Sequence, residues 1–241
     1  IVAGDFDQKQ LDAWVDQYFG WMPKPATPIP QVTAQEPVRK RDQHYTITSA
    51  TAPLPAVAIT WLIPPASDSA DGIALKVAGA LLAQGESSRL YQSLVYRHQV
   101  AQEAGADADS RVGPGLFTAY AILASGHQPA EAAKLLREEI IWLATQPIPA
   151  VELDKVKTQL LTAELKQRQT AQGLAFALGQ ASLIDGNVER VNSDLDALQQ
   201  VNEKDVHRVL QKYITGARSV TIDYLPQAAA AAPAAAKGTA K

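Results

Sequence analysis

One segment of the chain is suited only to an inner strand of a β-sheet. Residues 56–63 read AVAITWLI, so apolar side chains occupy both the even and the odd positions. Because successive side chains of a strand point to opposite faces, such a segment has two faces to cover. Residues 44–50, HYTITSA, instead alternate between apolar and polar side chains. The two segments therefore predict a central strand and a half-exposed strand.

The residues that follow the central strand predict a helix and then a hairpin. Residues 71–85 carry apolar side chains at helical spacing and end at Gly85, where a glycine can cap a helix in the left-handed conformation. Residues 100–109 and 115–125 read as strands and flank a loop that contains glycine and proline. This arrangement is typical of a β-hairpin.

The second half of the chain is mainly helical. Its spacing predicts a helix from Gln128, a closing strand at 218–225, and further helices at about 149–169, 172–185, 192–200 and 203–213. Strands, then helices, then a last strand predict an α+β fold, in which helices cover one face of a mostly antiparallel sheet.

Changes in composition divide the chain into four parts. Residues 1–22 hold the end of a buried strand, IVAGDFD, and a helix with one apolar face from Gln8 to Phe19. Residues 23–43 form a proline-rich linker, and residues 44–226 form the α+β domain. Residues 227–241 are an alanine-rich tail without a large apolar side chain, and we expect them to be disordered.

Composition excludes several classes of protein. The net charge of −3 argues against a surface that follows nucleic acid phosphates. The absence of cysteine excludes thiol catalysis, disulfides and cysteine-ligated metals. No apolar stretch approaches the roughly 20 residues that span a bilayer. We therefore expect neither a nucleic acid partner nor a membrane span.

The histidines do not form a zinc motif. A two-histidine zinc helix needs two histidines four residues apart, and no such pair exists among His44, His98, His127 and His207. Glu203 and His207 share a helical face, which indicates a surface ion pair. Asp5 and Asp7 are typical of a turn followed by a helix start, where the helix dipole favours an acid.

Other polar clusters also have structural explanations. Asp107 and Asp109 have the spacing of a calcium loop, but Arg111 occupies the place of a further oxygen ligand and would repel the ion. Ser87 and Ser88 lack the flanking glycines of a nucleophile elbow and are predicted to cap a helix. Four aromatic residues on apolar faces are predicted to pack in the core: Trp14, Trp61, Trp142 and Phe117.

Taken together, these segments resemble the second half of a pitrilysin-type zinc peptidase subunit, the group that includes insulinases and mitochondrial processing peptidases. The resemblance rests on GDF at 4–6, the strand after AP at 52–53, the helix that ends in GESSRLYQSL at 85–94, and the strand that follows. These features occur in the order of the family and cover about residues 1–226.

The resemblance implies that zinc is bound elsewhere in the polypeptide. In this family the first half of a subunit holds zinc through an inverted His-x-x-Glu-His helix and a later glutamate. Residues 1–22 would be the last strand and helix of that half, so the zinc ligands are expected upstream of Ile1. On this reading the chain itself contains no catalytic and no metal-binding residue.

The resemblance also implies that the second half of a complementary subunit supplies an arginine and a tyrosine, which hold the carbonyl of the peptide. Val95 and Gln102 occupy those two positions here. Valine cannot donate a hydrogen bond, and the glutamine amide carries no charge. Arg97 or Tyr96 could substitute only in a slipped register, and a helix would turn them roughly 100 to 200° from the matched face.

These features imply a non-catalytic wall of a clamshell chamber for unfolded peptides, in a zinc endopeptidase subunit. The expected partners are the preceding zinc-bearing half, a homologous subunit that supplies the arginine and tyrosine, and peptide substrates. The resemblance to short two-chain bacterial members also implies a periplasmic location. Two alternatives stay open: an inactive scaffold or peptide-binding member of the same family, and an unrelated α+β binding domain.

Overall fold

The fold is built around one five-stranded sheet. A computed structural model describes residues 1–28, 34, 37, 39–66 and 69–227. Within them the strands are β1 (Gln43–Ser49), β2 (Ala56–Ile63), β3 (Ala101–Asp109), β4 (Gly115–Leu123) and β5 (Ser219–Pro226). Their order across the sheet is β1-β5-β2-β4-β3. Only the β1–β5 pair is parallel, and the other three pairs are antiparallel.

Helices make up the rest of the described fold. The α-helices are α1 (Gln8–Phe19), α2 (Ser69–Ala83), α3 (Pro129–Thr145), α4 (Ala150–Gln167), α5 (Ala171–Leu183), α6 (Arg190–Gln200) and α7 (Glu203–Leu210). Two π-helical segments occupy Tyr91–Arg97 and Gln211–Thr215. The predicted α+β class is confirmed, as are the hairpin, the closing strand and the left-handed conformation of Gly85.

The core lies between the sheet and the helices. Every second residue of β2 and β4 is buried, and these side chains pack with the apolar faces of α2, α3 and α7. The buried apolar side chains of the two strands are those of Val57, Ile59, Trp61, Ile63, Phe117, Ala119, Ala121 and Leu123. Their alternate neighbours are only partly buried. We call the face that these neighbours form the open face of the sheet.

The N-terminal residues form a helix but no strand in this structure. Residues 1–7 are not paired and Ile1 is 69% exposed, and the assignment of residues 1–22 to a preceding half stays a prediction. A strand needs a hydrogen-bonded neighbour, and none of the described strands lies beside these residues. Helix α1 does form, and the Asp7 carboxylate caps it by accepting a hydrogen bond from the Gln10 N–H at 2.8 Å. None of its residues is buried.

Two of the four aromatic residues predicted in the core lie at the surface. Trp61 and Phe117 are buried and meet edge to face, with ring centroids 6.2 Å apart. Trp14 is 49% exposed because its helix packs against little else. Trp142 is 53% exposed, and the guanidinium of Arg89 lies 4.6 Å from its ring centroid. The spacing of apolar residues along the chain did not distinguish the buried aromatic residues from the exposed ones.

The predicted tail and part of the predicted linker lie outside the described residues. Of the tail only Gln227 is described, and of the linker residues 29–33, 35, 36 and 38 are not. Among the helices that the structure describes, none is both long enough and apolar enough to cross a membrane.

Candidate functional site

The residues matched to the carbonyl-binding pair lie on either side of a helix-to-strand junction. The predicted α-helix after Ser88 is mostly π-helical. Two hydrogen bonds of 3.0 Å end it: the His98 N–H donates to the Ser93 carbonyl, and the Val100 N–H donates to the Leu94 carbonyl. Gln99 then takes a positive φ of 56°. This conformation turns the chain directly into β3.

Neither matched side chain has the functional group that the family uses at its position. Val95 is half-buried and packs against the hydrophobic core. Gln102 is exposed and lies in a bulge, because the β3–β4 register shifts between Ala101 and Glu103. An apolar side chain at one position and an uncharged amide at the other cannot reproduce an arginine and a phenol.

The two neighbours considered as substitutes are placed differently. Tyr96 is 71% exposed at the end of the π-helix. Arg97 donates through Nε to the Gln92 carbonyl at 3.2 Å and through Nη2 to the Glu139 Oε1 atom of α3 at 3.3 Å. Its guanidinium is therefore held toward the helical layer.

The rest of the junction is structural. Arg89 is buried and donates two hydrogen bonds of 2.8 Å to the carboxylate of Glu152, which ties the start of the π-helical segment to α4. The predicted serine caps are wrong. The Ser88 hydroxyl is buried and has no hydrogen-bond partner, and the Ser87 hydroxyl accepts from Lys155 Nζ at 2.9 Å.

A polar group on the open face was not found from the sequence. Tyr120 lies across Gly105, and its hydroxyl donates to Glu103 Oε1 at 2.9 Å. An added Cβ at Gly105 would lie 2.4 Å from the ring. The hydrogen bond to Glu103, together with burial and nearby negative charge, raises the pKa of Tyr120. The predicted hairpin could have indicated this contact, because Gly105 and Tyr120 lie opposite each other in the β3–β4 pair.

The two aspartates of the hairpin do not form an ion site. Arg111 donates to Asp109 Oδ2 through Nε at 2.8 Å, which satisfies that carboxylate with a cation from the same loop. Burial first, and the charge of Asp109 second, raise the pKa of Asp107. The polar-hairpin interpretation therefore fits the geometry.

Glu203 and His207 also stay a structural pair. His207 Nε2 lies 3.9 Å from Glu203 Oε1 and 3.1 Å from the Gln146 carbonyl oxygen. Glu203 Oε1 accepts from the Ile148 N–H at 3.0 Å. In the described part of the chain, no three histidine or acidic side chains come together as a metal site would require.

Comparison with known proteins identifies the domain. A family model described as "Peptidase M16 inactive domain" matches residues 1–160. The chain belongs to this family. No curated protein matches the chain.

Solved structures of several bacterial proteins have the same fold. A protease from Helicobacter pylori matches with a TM-score of 0.85 at 20% identity, over 93% of this chain and 54% of that chain. An inactive peptidase domain from Bordetella parapertussis matches with a TM-score of 0.66 at 25% identity, over 72% of this chain and 93% of that chain. The periplasmic protease PqqL from Escherichia coli matches with a TM-score of 0.70 at 15% identity, over 93% and 25%. This M16 inactive domain thus spans about half the length of the Helicobacter pylori protein.

Proposed function

We propose that this M16 inactive domain is the C-terminal, non-catalytic part of a zinc endopeptidase subunit, and that it forms one wall of a chamber for unfolded peptides. The observation that carries the proposal is the pair Val95 and Gln102. Both lie at the junction where the resemblance expects an arginine and a tyrosine; Val95 has no hydrogen-bond donor, and the Gln102 amide has neither the charge of an arginine nor the phenol of a tyrosine. Zinc would be bound in a preceding half of the same polypeptide.

The N-terminal residues support a preceding half. Residues 1–22 expose an unusual number of large apolar side chains: Ile1, Val2, Phe6, Trp14, Val15, Tyr18, Phe19, Trp21 and Met22. Large exposed apolar patches mark interfaces in soluble proteins. We propose that residues 1–22 belong to the zinc-bearing half and that its remaining elements cover them.

The proposed roles of the two subunits follow from the absence of the arginine and the tyrosine in this chain. A subunit that holds zinc but lacks the arginine and tyrosine needs a homologous subunit that carries them. The open face of the sheet would then face the enclosed peptide, while the catalytic half would receive the peptide as an added strand. By analogy with the periplasmic protease PqqL, we propose a periplasmic location.

The test compares zinc binding and peptide cleavage by the polypeptide alone and by its mixture with a partner subunit. The chain described here should neither bind stoichiometric zinc nor cleave peptides. The complete polypeptide should gain activity only when it is mixed with a subunit that has the arginine and the tyrosine. Full activity of the complete polypeptide alone would refute the two-chain proposal.

A gain-of-function variant tests the assignment of Val95 and Gln102 to the arginine and tyrosine positions. Val95→Arg together with Gln102→Tyr in the complete polypeptide should give cleavage without the partner, because it restores the charged donor and the phenol. The matched control, Tyr96→Arg with Glu103→Tyr, introduces the same groups one residue further along and should give none. Equal activity of the two variants would contradict the assignment of Val95 and Gln102.

The competing function is an inactive scaffold or peptide-binding member of the same family. The upstream reading frame separates the two: an intact His-x-x-Glu-His motif supports the peptidase, and a half with replaced ligands supports the scaffold. Peptide binding without cleavage by the zinc-loaded, partner-mixed protein would also favour the scaffold.

A further inference from the structure

The two edges of the sheet are protected to different degrees. An edge strand presents unpaired N–H and C=O groups, which proteins usually shield with charged residues, prolines or bulges. At one edge, β3 carries Glu103, Asp107 and Asp109 and contains a bulge at Gln102. At the other edge, β1 has the sequence QHYTITS, with no acid, lysine, arginine, proline or glycine, and its register with β5 is continuous.

Strand β1 is also exposed on both faces. Six of its seven residues are exposed, and Tyr45 and Ile47, on the open face, are 52% and 48% exposed. Aromatic and β-branched residues favour strand pairing. No other strand that the structure describes pairs with the outer edge of β1. The edge therefore has both the backbone groups and the side chains to accept a further strand.

We propose that β1 pairs with β1 of a second copy of this chain, in an antiparallel register centred on Thr46. A seven-residue strand that pairs with itself over its full length places residue 46 opposite residue 46. Tyr45 then faces Ile47 twice, and such aromatic and β-branched cross-strand pairs are stabilising. His44 faces Thr48, and Gln43 faces Ser49.

The charges permit this arrangement. No acidic or basic side chain other than that of His44 lies on β1, and the Nε2 atom of His44 is 2.8 Å from Asp223 Oδ2 of its own chain. The basic residues before the strand, Lys40 and Arg41, would lie opposite Ala52 and Thr51 of the other copy. Like charges therefore do not face each other across the contact.

The symmetry fixes the shape of the assembly. A twofold axis perpendicular to the sheet at Thr46 relates the two copies, and such an isologous contact closes on itself. The result is one continuous sheet of ten strands with the helices of both copies on the same side. This dimer depends only on β1 and is independent of the proposed peptidase function.

An extended peptide is the main rival occupant of the edge, because it would form the same backbone hydrogen bonds. The side chains of β1 favour the second copy, since it brings an Ile47 opposite each Tyr45 and places no like charges opposite each other. Only a copy of β1 brings residue 46 opposite itself, and the experiment uses this property.

The experiment measures mass by sedimentation equilibrium and native mass spectrometry. The wild-type chain of 25.8 kDa should be in monomer–dimer equilibrium. Thr46→Lys and Thr46→Glu should each weaken dimerisation at least about tenfold, because like charges directly opposite on neighbouring strands repel. A mixture of the two variants should recover a heterodimer. Circular dichroism checks that both variants are folded.

The matched control is Thr48→Lys with Thr48→Glu. Thr48 lies on the same strand and the same face, but the register places it opposite His44, so mixing these variants should not favour a heterodimer. A wild-type chain that stays monomeric at millimolar concentration would overturn the proposal. So would a Thr46 mixture that does not recover dimers. Slow amide exchange of β1 only when an unfolded, reduced and carboxymethylated protein is added would assign the edge to peptides instead.

Discussion

Asp71 is the most heavily hydrogen-bonded carboxylate in the described fold. It is buried in the first turn of α2 and accepts hydrogen bonds from Arg208 at 2.5 Å, Lys212 at 3.1 Å and the Tyr213 hydroxyl at 2.7 Å. Burial alone would raise its pKa, but the hydrogen bonds from Tyr213, Arg208 and Lys212 outweigh burial and lower the pKa to about 2. The residue fastens α2 to α7 and the π-helical segment that follows it.

The lowered pKa predicts how the stability depends on pH. Below the ordinary pKa of 3.8 the unfolded chain takes up a proton, while folded Asp71 stays ionised down to about pH 2. The contribution of the group to the free energy of unfolding, about 2 kcal/mol, is therefore present above pH 4 and lost as the pH falls toward 2. Urea unfolding of wild type and Asp71→Asn from pH 2 to 7 should show a difference that shrinks at low pH.

An exposed acid provides the control for this titration. Asp196→Asn on α6 removes a carboxylate at the surface and should change the free energy of unfolding by less than about 0.5 kcal/mol at pH 7. If Asp71→Asn has an equally small effect at pH 7, the three hydrogen bonds do not stabilise the fold.

Gln99 offers a second prediction at the level of one residue. It is the only described residue other than glycine with a positive φ, and a side chain in the left-handed region costs about 1 kcal/mol. Gln99→Gly should therefore raise the free energy of unfolding by up to about 1 kcal/mol, despite the greater entropy of glycine in the unfolded chain. Denaturant unfolding measures the change. A destabilised Gln99→Gly would show that the Gln99 side chain contributes more than its conformation costs.

At the level of elements, β3 and β4 are held together on the open face by a matched pair. Gly105 has no Cβ, so the Tyr120 ring can lie over it and reach Glu103. Gly105→Ala should displace the ring and cost about 1 to 3 kcal/mol of unfolding free energy. In a Tyr120→Ala background the same substitution should cost much less. Equal costs in both backgrounds, measured by a double-mutant cycle, would rule out the contact as the cause.

Regular elements were predictable from the sequence because their side-chain spacing is determined by a single period. The uninterrupted apolar run of β2 and the helical spacing in α2 and α3 gave the correct elements, with ends close to the observed ones. The π-helical turn at Tyr91–Arg97 was not predictable, because its wider turn shifts the face on which each residue lies. The exposure of Trp142 depends on which elements pack against α3, and its spacing within the helix does not determine this.

The assignment of Val95 and Gln102 to the arginine and tyrosine positions stays a prediction, and the geometry around them could not be predicted from the sequence. The resemblance picked out Val95 and Gln102 by position alone. The bulge that exposes Gln102 depends on the pairing of two strands, and sequence spacing carries no information about such an irregularity. The hydrogen bonds of Arg97 to Gln92 and Glu139 likewise depend on how α3 packs beside the junction.

At the level of the whole molecule, α1 and the sheet domain should differ in local stability. Helix α1 has no buried residue, and isolated helices of its 12 residues are marginal in water. Helix α2, by contrast, buries Leu75, Leu81 and Leu82 in the core. Hydrogen exchange should therefore be far faster in α1 than in α2. Similar protection in both helices would mean that α1 is held by contacts stronger than its exposure indicates.

A pair of tryptophan substitutions tests the same difference by another measurement. Trp61→Ala should cost about 3 to 5 kcal/mol of unfolding free energy, because it leaves a cavity in the core. Trp14→Ala should cost less than about 0.5 kcal/mol in this chain, because Trp14 is a surface residue here. A large effect of Trp14→Ala would contradict the description of α1 as weakly packed.

The position of β5 has a consequence for biosynthesis. This strand comes after the helices in the chain, yet it lies between β1 and β2, which are made first. While the ribosome is still adding residues before Ser219, the two early strands have no neighbour on their facing edges. Contacts so distant along the chain are slow to form, and until they do the exposed edges can bind other chains. The sheet can therefore be completed only after nearly all of the domain has left the ribosome, and a nascent chain stalled before that point would keep these two strand edges exposed.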